Sequence, residues 1–201
     1  RIGDIDTTAA LALDGVHAVM SFTDFAPLLI NPELVVGLPS PAYRQDRNRP
    51  ALAHTEATYV GEPIAMVLAT SRHIAEDAAS LVMVDFDPLP AAVDCRDALD
   101  PGAPLAHTNS EHNLCAEFDM KYGDTDAAFA AAPHVFSEEL MMHRGGSHSL
   151  ECRGCVALHD FATDETTLWS STQMPHSLRT TFIDMTGRSE NSIRIVTPEI
   201  G

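Results

Sequence analysis

The chain has 201 residues, of which 45% are hydrophobic and 20% are charged, and this is enough for one large or two small globular domains. Twelve Lys and Arg residues against 29 Asp and Glu residues give a formal charge of −17. This charge repels phosphate backbones, so we expect no nucleic-acid partner. The longest apolar runs fall far short of the roughly 18 to 20 residues that cross a bilayer, so we expect no membrane insertion.

The cysteines are few and irregularly spaced, at Cys95, Cys115, Cys152 and Cys155. This pattern is too sparse for a disulfide scaffold and is typical of reduced thiols, so it predicts a cytoplasmic protein. The chain begins without a methionine and stops at "TPEIG", directly after a strand-like run. We therefore expect a piece of a larger protein.

The first predicted elements are a helix, a strand and a long irregular loop. In "DTTAALALDGV" a helix is predicted with a cap near Asp6 or Thr7 and an end at Gly15. "VHAVMSF" is predicted to be a strand. The residues from Pro27 to Pro50 contain several prolines without a regular period, which indicates a loop.

The next stretch combines short β-rich runs with an amphipathic helix. "TYVGEPIAMVLAT" predicts two short strands separated by a glycine and a proline. Ser71 can cap the helix that follows, because apolar residues then recur at a spacing of four: Ile74, Ala78 and Val82. "LVMVDFDPLP" alternates as a strand and is ended by its prolines.

Residues 101–113 are rich in Pro, Gly, Asn and Ser and are predicted to connect two units. In the second unit, "DTDAAFAAAP" predicts a helix that begins at Asp124, and "HVFSEELMM" predicts a long strand. "GCVALHD" and "TTLWSST" predict a hairpin across "FATDE". A helix from Pro175 to Met185, stopped by Gly187, and a strand in "SIRIVTP" complete a β-β-β-α-β order.

Gln173 lies in "WSSTQMPH", between a predicted strand end and a predicted helix start. Such junctions often face a ligand, because the first helical N–H groups lack internal partners. The stretch by itself favours an amide that only satisfies the loop backbone, because short side-chain-to-backbone bonds are common at helix starts. The sequence contains no G-x-G-x-x-G, P-loop, G-x-S-x-G or H-E-x-x-H pattern.

The order of several motifs resembles the large subunit of the xanthine dehydrogenase and aldehyde oxidase family of molybdenum hydroxylases. These motifs are "VGEP", "EDAASLVMVDFDPLPAAVD", "PGAPLAH", "YGDTDAAFAAA", "SSTQMPH" and the final "EIG". The resemblance covers almost the whole chain. It implies an α+β fold with an α/β-hammerhead domain at 1–100, a linker at 101–113 and the first part of a mixed α/β molybdopterin-binding domain at 114–201.

The resemblance also implies an activity and cofactors. The family hydroxylates an aldehyde, an aromatic heterocycle or a similar carbon centre, and water supplies the oxygen. A molybdopterin-type molybdenum cofactor carries this chemistry, and electrons leave through iron–sulfur clusters and FAD on partner domains or subunits. The implied partners are a small-molecule substrate and these iron–sulfur and flavin components, while the substrate class stays open.

Three residues receive a site role from the resemblance. Gln173 matches the family glutamine beside the oxo ligand of the molybdenum, which makes it the predicted catalytic and cofactor-binding residue. Glu151 lies where relatives carry a Leu-Glu or Met-Glu step near the cofactor, and Gly201 matches the first glycine of a Gly-rich loop. The family's catalytic glutamate lies far toward the C-terminus, so no carboxylate here receives that role, and we expect the isolated chain to be inactive.

Two other interpretations remain open. Cys152 and Cys155 have the spacing of half a zinc site, with His143, His148 and His159 nearby, although a single pair supplies too few ligands. Alternatively, the chain is a non-catalytic interaction or scaffold module. A partial subunit would expose surfaces that are normally covered, and such surfaces are compatible with a homo-oligomer.

Overall fold

The computed structural model describes residues 1–35, 40–45, 48–142, 150, 153–198 and 200. Its strands are Ile2–Asp6 (β1), Val16–Ser21 (β2), Glu33–Leu34 (β3), Arg49–Pro50 (β4), Ala65–Ala69 (β5), Met83–Phe86 (β6), Cys155–Asp160 (β7), Glu165–Ser170 (β8) and Ile193–Val196 (β9). Its α-helices are Thr8–Leu11 (α1), Phe22–Phe25 (α2), Arg72–Ser80 (α3), Thr125–Ala131 (α4) and Pro175–Thr186 (α5). Single 3₁₀ turns follow at Ala26–Leu28 and Glu190–Ser192. This mixture confirms the α+β class.

The first half of the chain is built on two antiparallel strand pairs, β1 with β6 and β2 with β5. Helix α3 connects β5 to β6 and contacts α1. Ser71 caps α3 as predicted, because its Oγ accepts a hydrogen bond from the Ile74 N–H at 3.3 Å. Ala78 is completely buried, whereas Val82 lies beyond the end of the helix. The predicted apolar face of α3 is therefore confirmed at Ala78, the middle residue of the predicted set.

Gly15 lies at the turn between α1 and β2, with a φ of +89°. Its carbonyl accepts a hydrogen bond from the Thr70 N–H at 2.9 Å. A Cβ at this position would lie 2.8 Å from Thr70 Oγ1 and 2.9 Å from Ile74 Cδ1. The turn therefore requires glycine for both its backbone angle and its space. Helix α1 ends before Gly15, at Leu11, and is shorter than predicted.

The sequence also misassigned two parts of the first half. Residues 22–28, partly inside the predicted loop, form α2 and a 3₁₀ turn. Of the two strands predicted in 58–70, only β5 forms. Glu62 explains the loss, because its carboxylate accepts bonds from the N–H and the hydroxyl of Thr58, at 2.6 and 3.0 Å, and closes a turn.

The predicted linker at 101–113 is ordered by Asn113. Its amide nitrogen donates to the carbonyls of Ala98 and Pro104, both at 2.8 Å, and its oxygen accepts from the Ala106 N–H at 2.8 Å. One side chain thus folds the connection back on itself. The domain boundaries proposed from the sequence stay predictions.

The second half contains a three-stranded sheet in the order β7-β8-β9. Strands β7 and β8 form the predicted antiparallel hairpin, and β8 and β9 run parallel. Helix α5 makes the crossover between the parallel strands, as such a pair requires. Ile193 of β9 is only 4% exposed and anchors this unit. Because β8 and β9 are parallel, their carboxyl ends lie at the same sheet edge.

The segment 115–142 is exposed at every residue. Helix α4 begins as predicted at Asp124, whose Oδ1 accepts from the Ala127 N–H at 3.0 Å. The strand predicted at 134–142 is wrong, since no strand within the described ranges pairs with it. Within the described residues, the order after α4 is therefore β-β-α-β. Large apolar side chains are left uncovered along the segment: Phe118, Met120, Tyr122, Phe129, Val135, Phe136, Leu140, Met141 and Met142.

None of the described helices is both long and apolar enough to cross a membrane.

Candidate functional site

Gln173 lies between the end of β8 at Ser170 and the start of α5 at Pro175. The predicted junction is therefore confirmed. The Gln173 side chain is exposed, and it has no hydrogen-bond partner among the residues that the structure describes. The interpretation in which its amide only satisfies the loop backbone thus receives no support from those residues.

Thr172 shapes the backbone on both sides of Gln173. Its N–H donates to the Ser170 carbonyl at 3.0 Å, which folds the chain as it leaves β8. Its Oγ1 accepts from the Met174 N–H at 3.1 Å, which spans Gln173. Short hydroxyl-to-backbone bonds of this kind stabilise turns. Thr172 was not selected as a site residue from the sequence, although a threonine before a helix start is a usable signal for such a turn.

Pro175 fixes the start of α5. Proline suits the first helical position because it has no N–H and its φ is already close to the helical value. It also disfavours a helical backbone at the preceding residue, and Met174 has a φ of −128° and a ψ of 63°. The Met174 carbonyl accepts the first helical bond, from Leu178 N–H at 2.9 Å. The peptide that carries Gln173 is therefore held between a strand end and a rigid helix start.

The C-terminal end of α5 contacts its own unit and also the first half of the chain, where the Ile30 N–H donates to the Met185 carbonyl at 2.9 Å. Gly187 ends the helix in the left-handed conformation, with a φ of +69°, as the sequence predicts. Arg179 pairs with Glu190 at 3.1 Å, and Arg188 pairs with Asp164 at 2.7 Å. Such partly exposed ion pairs typically add little stability.

Thr197 is a second feature of the same sheet edge. It follows β9 directly after Val196, which pairs with Trp169 of β8. Its Oγ1 is buried and has no hydrogen-bond partner among the residues that the structure describes. A buried hydroxyl without a partner is uncommon in folded proteins. It was not identified from the sequence, because periodicity does not show which side-chain atoms become buried.

These features fit a polar cofactor at this edge. Open sheets with parallel strands bind ligands at the carboxyl ends of those strands. Here the edge presents the exposed amide of Gln173 and the orphaned hydroxyl of Thr197. An amide nitrogen can donate two hydrogen bonds, which suits the oxygen atoms of a metal-bound or phosphate-bearing group.

Two of the predicted site residues, Glu151 and Gly201, lie outside the described residues. Their cofactor roles stay predictions.

The zinc alternative is also incompletely covered. Cys152, His143 and His148 lie outside the described residues. Cys155 begins β7 as an exposed thiol, and His159 lies 3.0 Å from the Thr166 hydroxyl through its Nδ1. No group of three or more metal-ligating side chains occurs within the described ranges. These residues therefore add no support for a metal site.

Two family models match consecutive parts of the chain. The aldehyde oxidase and xanthine dehydrogenase a/b hammerhead domain matches residues 1–90. The molybdopterin cofactor-binding domain matches residues 106–201. The chain belongs to the xanthine dehydrogenase and aldehyde oxidase family. The matches confirm a hammerhead domain followed by molybdopterin-binding sequence.

Several family members are similar over the full length of the chain. The carbon monoxide dehydrogenase large chain of Afipia carboxidovorans is 35% identical over 217 residues, and the chain covers 26% of it. The nicotine 6-hydroxylase large subunit of Paenarthrobacter nicotinovorans is 32% identical over 201 residues, with 24% covered. The structure of quinoline 2-oxidoreductase from Pseudomonas putida 86 matches all of this chain and 25% of its own, with a TM-score of 0.88 and 32% identity. The chain thus spans about a quarter of the length of these family members.

Proposed function

We propose that the chain forms part of the large subunit of a molybdenum hydroxylase that oxidises an aldehyde, an aromatic heterocycle or a similar carbon centre, with water as the oxygen source. The family assignment supports the reaction class. The main observation that supports this site is the exposed Gln173 amide. It has no hydrogen-bond partner among the described residues, and it lies in the rigid junction between β8 and α5. Its position at the carboxyl edge of β8 and β9 supports a role toward a bound group.

The residues of this chain orient the cofactor and donate hydrogen bonds to it. When bound, the molybdopterin-type molybdenum cofactor supplies the redox chemistry, and iron–sulfur clusters and FAD on partner domains or subunits accept the electrons. Gln173 would hold the cofactor by donating hydrogen bonds from its neutral Nε2 amide. A fixed donor in a water-poor site stabilises developing negative charge without reorganisation during the reaction.

The surface of the chain supports its place in a larger subunit. Its accessible surface is 15703 Å², whereas a compact monomer of 21.7 kDa exposes about 9,200 Å². The excess includes the segment 115–142, with its many uncovered apolar side chains. Exposed apolar surface on this scale is typical of an interface. We infer that further protein covers this segment and that the isolated chain neither retains the cofactor nor turns over substrate.

The same exposed segment favours a second candidate, a non-catalytic interaction module. The two candidates differ at Gln173, which an interaction module does not need. A substitution there consequently separates them.

The test uses the complete enzyme. Gln173→Ala should lower kcat about a hundredfold, the loss seen when one donor to a developing anion is removed. Gln173→Glu should lower kcat further, because a carboxylate lacks the donor and repels an anionic oxygen. Ser171→Ala, at an exposed neighbouring position, is the control and should stay within about twofold of the wild type.

Steady-state kinetics, molybdenum content and a melting curve are measured on each preparation. Gln173→Ala should change the free energy of unfolding by about 0.5 kcal/mol or less, as exposed substitutions do. Wild-type turnover of Gln173→Ala at equal molybdenum loading would favour the interaction module. Loss of the cofactor or unfolding in this variant would show a structural role and refute the catalytic one.

A further inference from the structure

We propose that Thr172 is a positioning residue that fixes the peptide of Gln173 so that the Gln173 amide points toward the bound cofactor. This inference rests on the proposed function of Gln173. It assigns Thr172 an indirect role, because its own hydroxyl is occupied by the backbone of Met174.

The two hydrogen bonds of Thr172 fix the backbone on both sides of Gln173. The Thr172 N–H is tied to the Ser170 carbonyl at 3.0 Å, so the start of the turn is fixed to the end of β8. The Thr172 Oγ1 holds the Met174 N–H at 3.1 Å, so the far side of Gln173 is fixed as well. With both sides fixed, the Cα–Cβ direction of Gln173 is set by the strand and the helix rather than by its own side chain.

Thr172 is half-buried, whereas Gln173 and Met174 are exposed. The Met174 N–H has no other acceptor among the described residues. Without the Thr172 hydroxyl, the peptide between Gln173 and Met174 loses this hydrogen bond and keeps only the restriction that Pro175 places on Met174. An exposed glutamine with no partner of its own among the described residues then samples several directions, because a glutamine side chain has many rotamers.

The hydrogen bond of the Thr172 hydroxyl and the shape of the Thr172 side chain can be tested separately. Thr172→Val keeps the size and the β-branching but removes the acceptor. Thr172→Ser keeps the acceptor and removes the methyl group. In the complete enzyme, Thr172→Val should lower kcat about fivefold, which is the factor that one net neutral hydrogen bond accounts for. KM should stay unchanged, and Thr172→Ser should stay within about twofold of the wild type.

Two further measurements separate positioning from general damage. If Thr172 acts through Gln173, Thr172→Val should have no further effect on kcat in a Gln173→Ala background. Deuterium uptake by the peptide covering 171–178 should be faster in Thr172→Val than in the wild type or Thr172→Ser, because the Met174 N–H is released. Molybdenum content should be equal in all variants, and the melting temperature of Thr172→Val should fall by no more than the few degrees that one lost hydrogen bond accounts for.

The outcomes distinguish the two proposals. If Gln173→Ala is slow but Thr172→Val has wild-type kcat, the positioning role is refuted and the role of Gln173 stands. If Thr172→Val is equally harmful with and without Gln173, Thr172 acts independently and the inference is wrong. If Gln173→Ala has wild-type kcat, the proposed function fails, and unchanged deuterium uptake in Thr172→Val would then also refute the turn assignment.

Discussion

The cost of truncating Phe136 should depend on whether the rest of the subunit is present. Phe136 and Leu140 are 87% and 89% exposed, and the stretch that contains them, 134–142, pairs with no strand in the described ranges. In the isolated chain, Phe136→Ala should therefore change the free energy of unfolding by about 0.5 kcal/mol or less. In the complete subunit, the proposed cover makes it a core substitution, which typically costs about 3 to 5 kcal/mol.

Native-state hydrogen exchange measures this difference at the segment itself. A loss of about 3 kcal/mol in the complete subunit corresponds to exchange of the 134–142 amides roughly 10² times faster, if they exchange by local opening. Chemical denaturation gives the matching value for the isolated chain. Ser137→Ala is the control in both proteins, since it removes only a hydroxyl from the same segment and should have little effect. Equal costs of Phe136→Ala in the two proteins would refute the idea that further protein covers this segment.

Three other predictions concern the first half of the chain. The hydrogen bond from the Arg96 side chain lowers the pKa of Asp94 to about 2. The stability that this carboxylate contributes is therefore present above pH 3.8 and is lost as the pH falls through about 2. In Arg96→Gln, an NMR titration should show that the pKa of Asp94 has moved back toward 3.8. Gly15→Ala should destabilise the chain by roughly 2 to 4 kcal/mol, because the new Cβ would meet the hydroxyl of Thr70. Gly102 has a similar φ but lies in open space, so Gly102→Ala should cost only about 1 to 2 kcal/mol. Equal losses of stability in urea denaturation would contradict the steric argument. Ser71→Ala should cost about 1 kcal/mol in the same assay and Ser71→Asp much less, and a neutral alanine would show that the cap adds nothing.

The Gln173 junction could be predicted because local residues determine it. The alternation of residues predicted β8, Pro175 predicted the start of α5, and Gly187 predicted the end of α5. Each of these signals acts over a few neighbours and needs no distant partner. The resemblance to the family then supplied the role of Gln173, which the stretch by itself did not favour.

The two strands that were wrongly predicted, in 134–142 and 58–62, depend on features that a local pattern does not show. One needs a distant partner strand, and the other is prevented by a side chain that accepts a backbone hydrogen bond. The alternation in 134–142 shows two faces but does not show whether a neighbouring strand is available, and the described residues supply none. In 58–62, the carboxylate of Glu62 satisfies the Thr58 N–H and makes a turn where β propensity favours a strand. Propensity carries no information about such a competing acceptor.

The exposed segment and the Gln173 junction differ in how far each depends on the further protein that the proposed function requires. The contacts that set the junction are local, namely the Thr172 turn and the Pro175 helix start. None of these contacts involves the segment 115–142. The direction of the Gln173 peptide therefore does not require the protein that covers that segment. Exclusion of water from the site does require additional surface, because Gln173 is exposed in this chain. Since a hydrogen-bond donor gains its full effect on charge only in a water-poor site, the proposed catalytic contribution of Gln173 requires further protein to cover the junction, whereas the local turn itself does not.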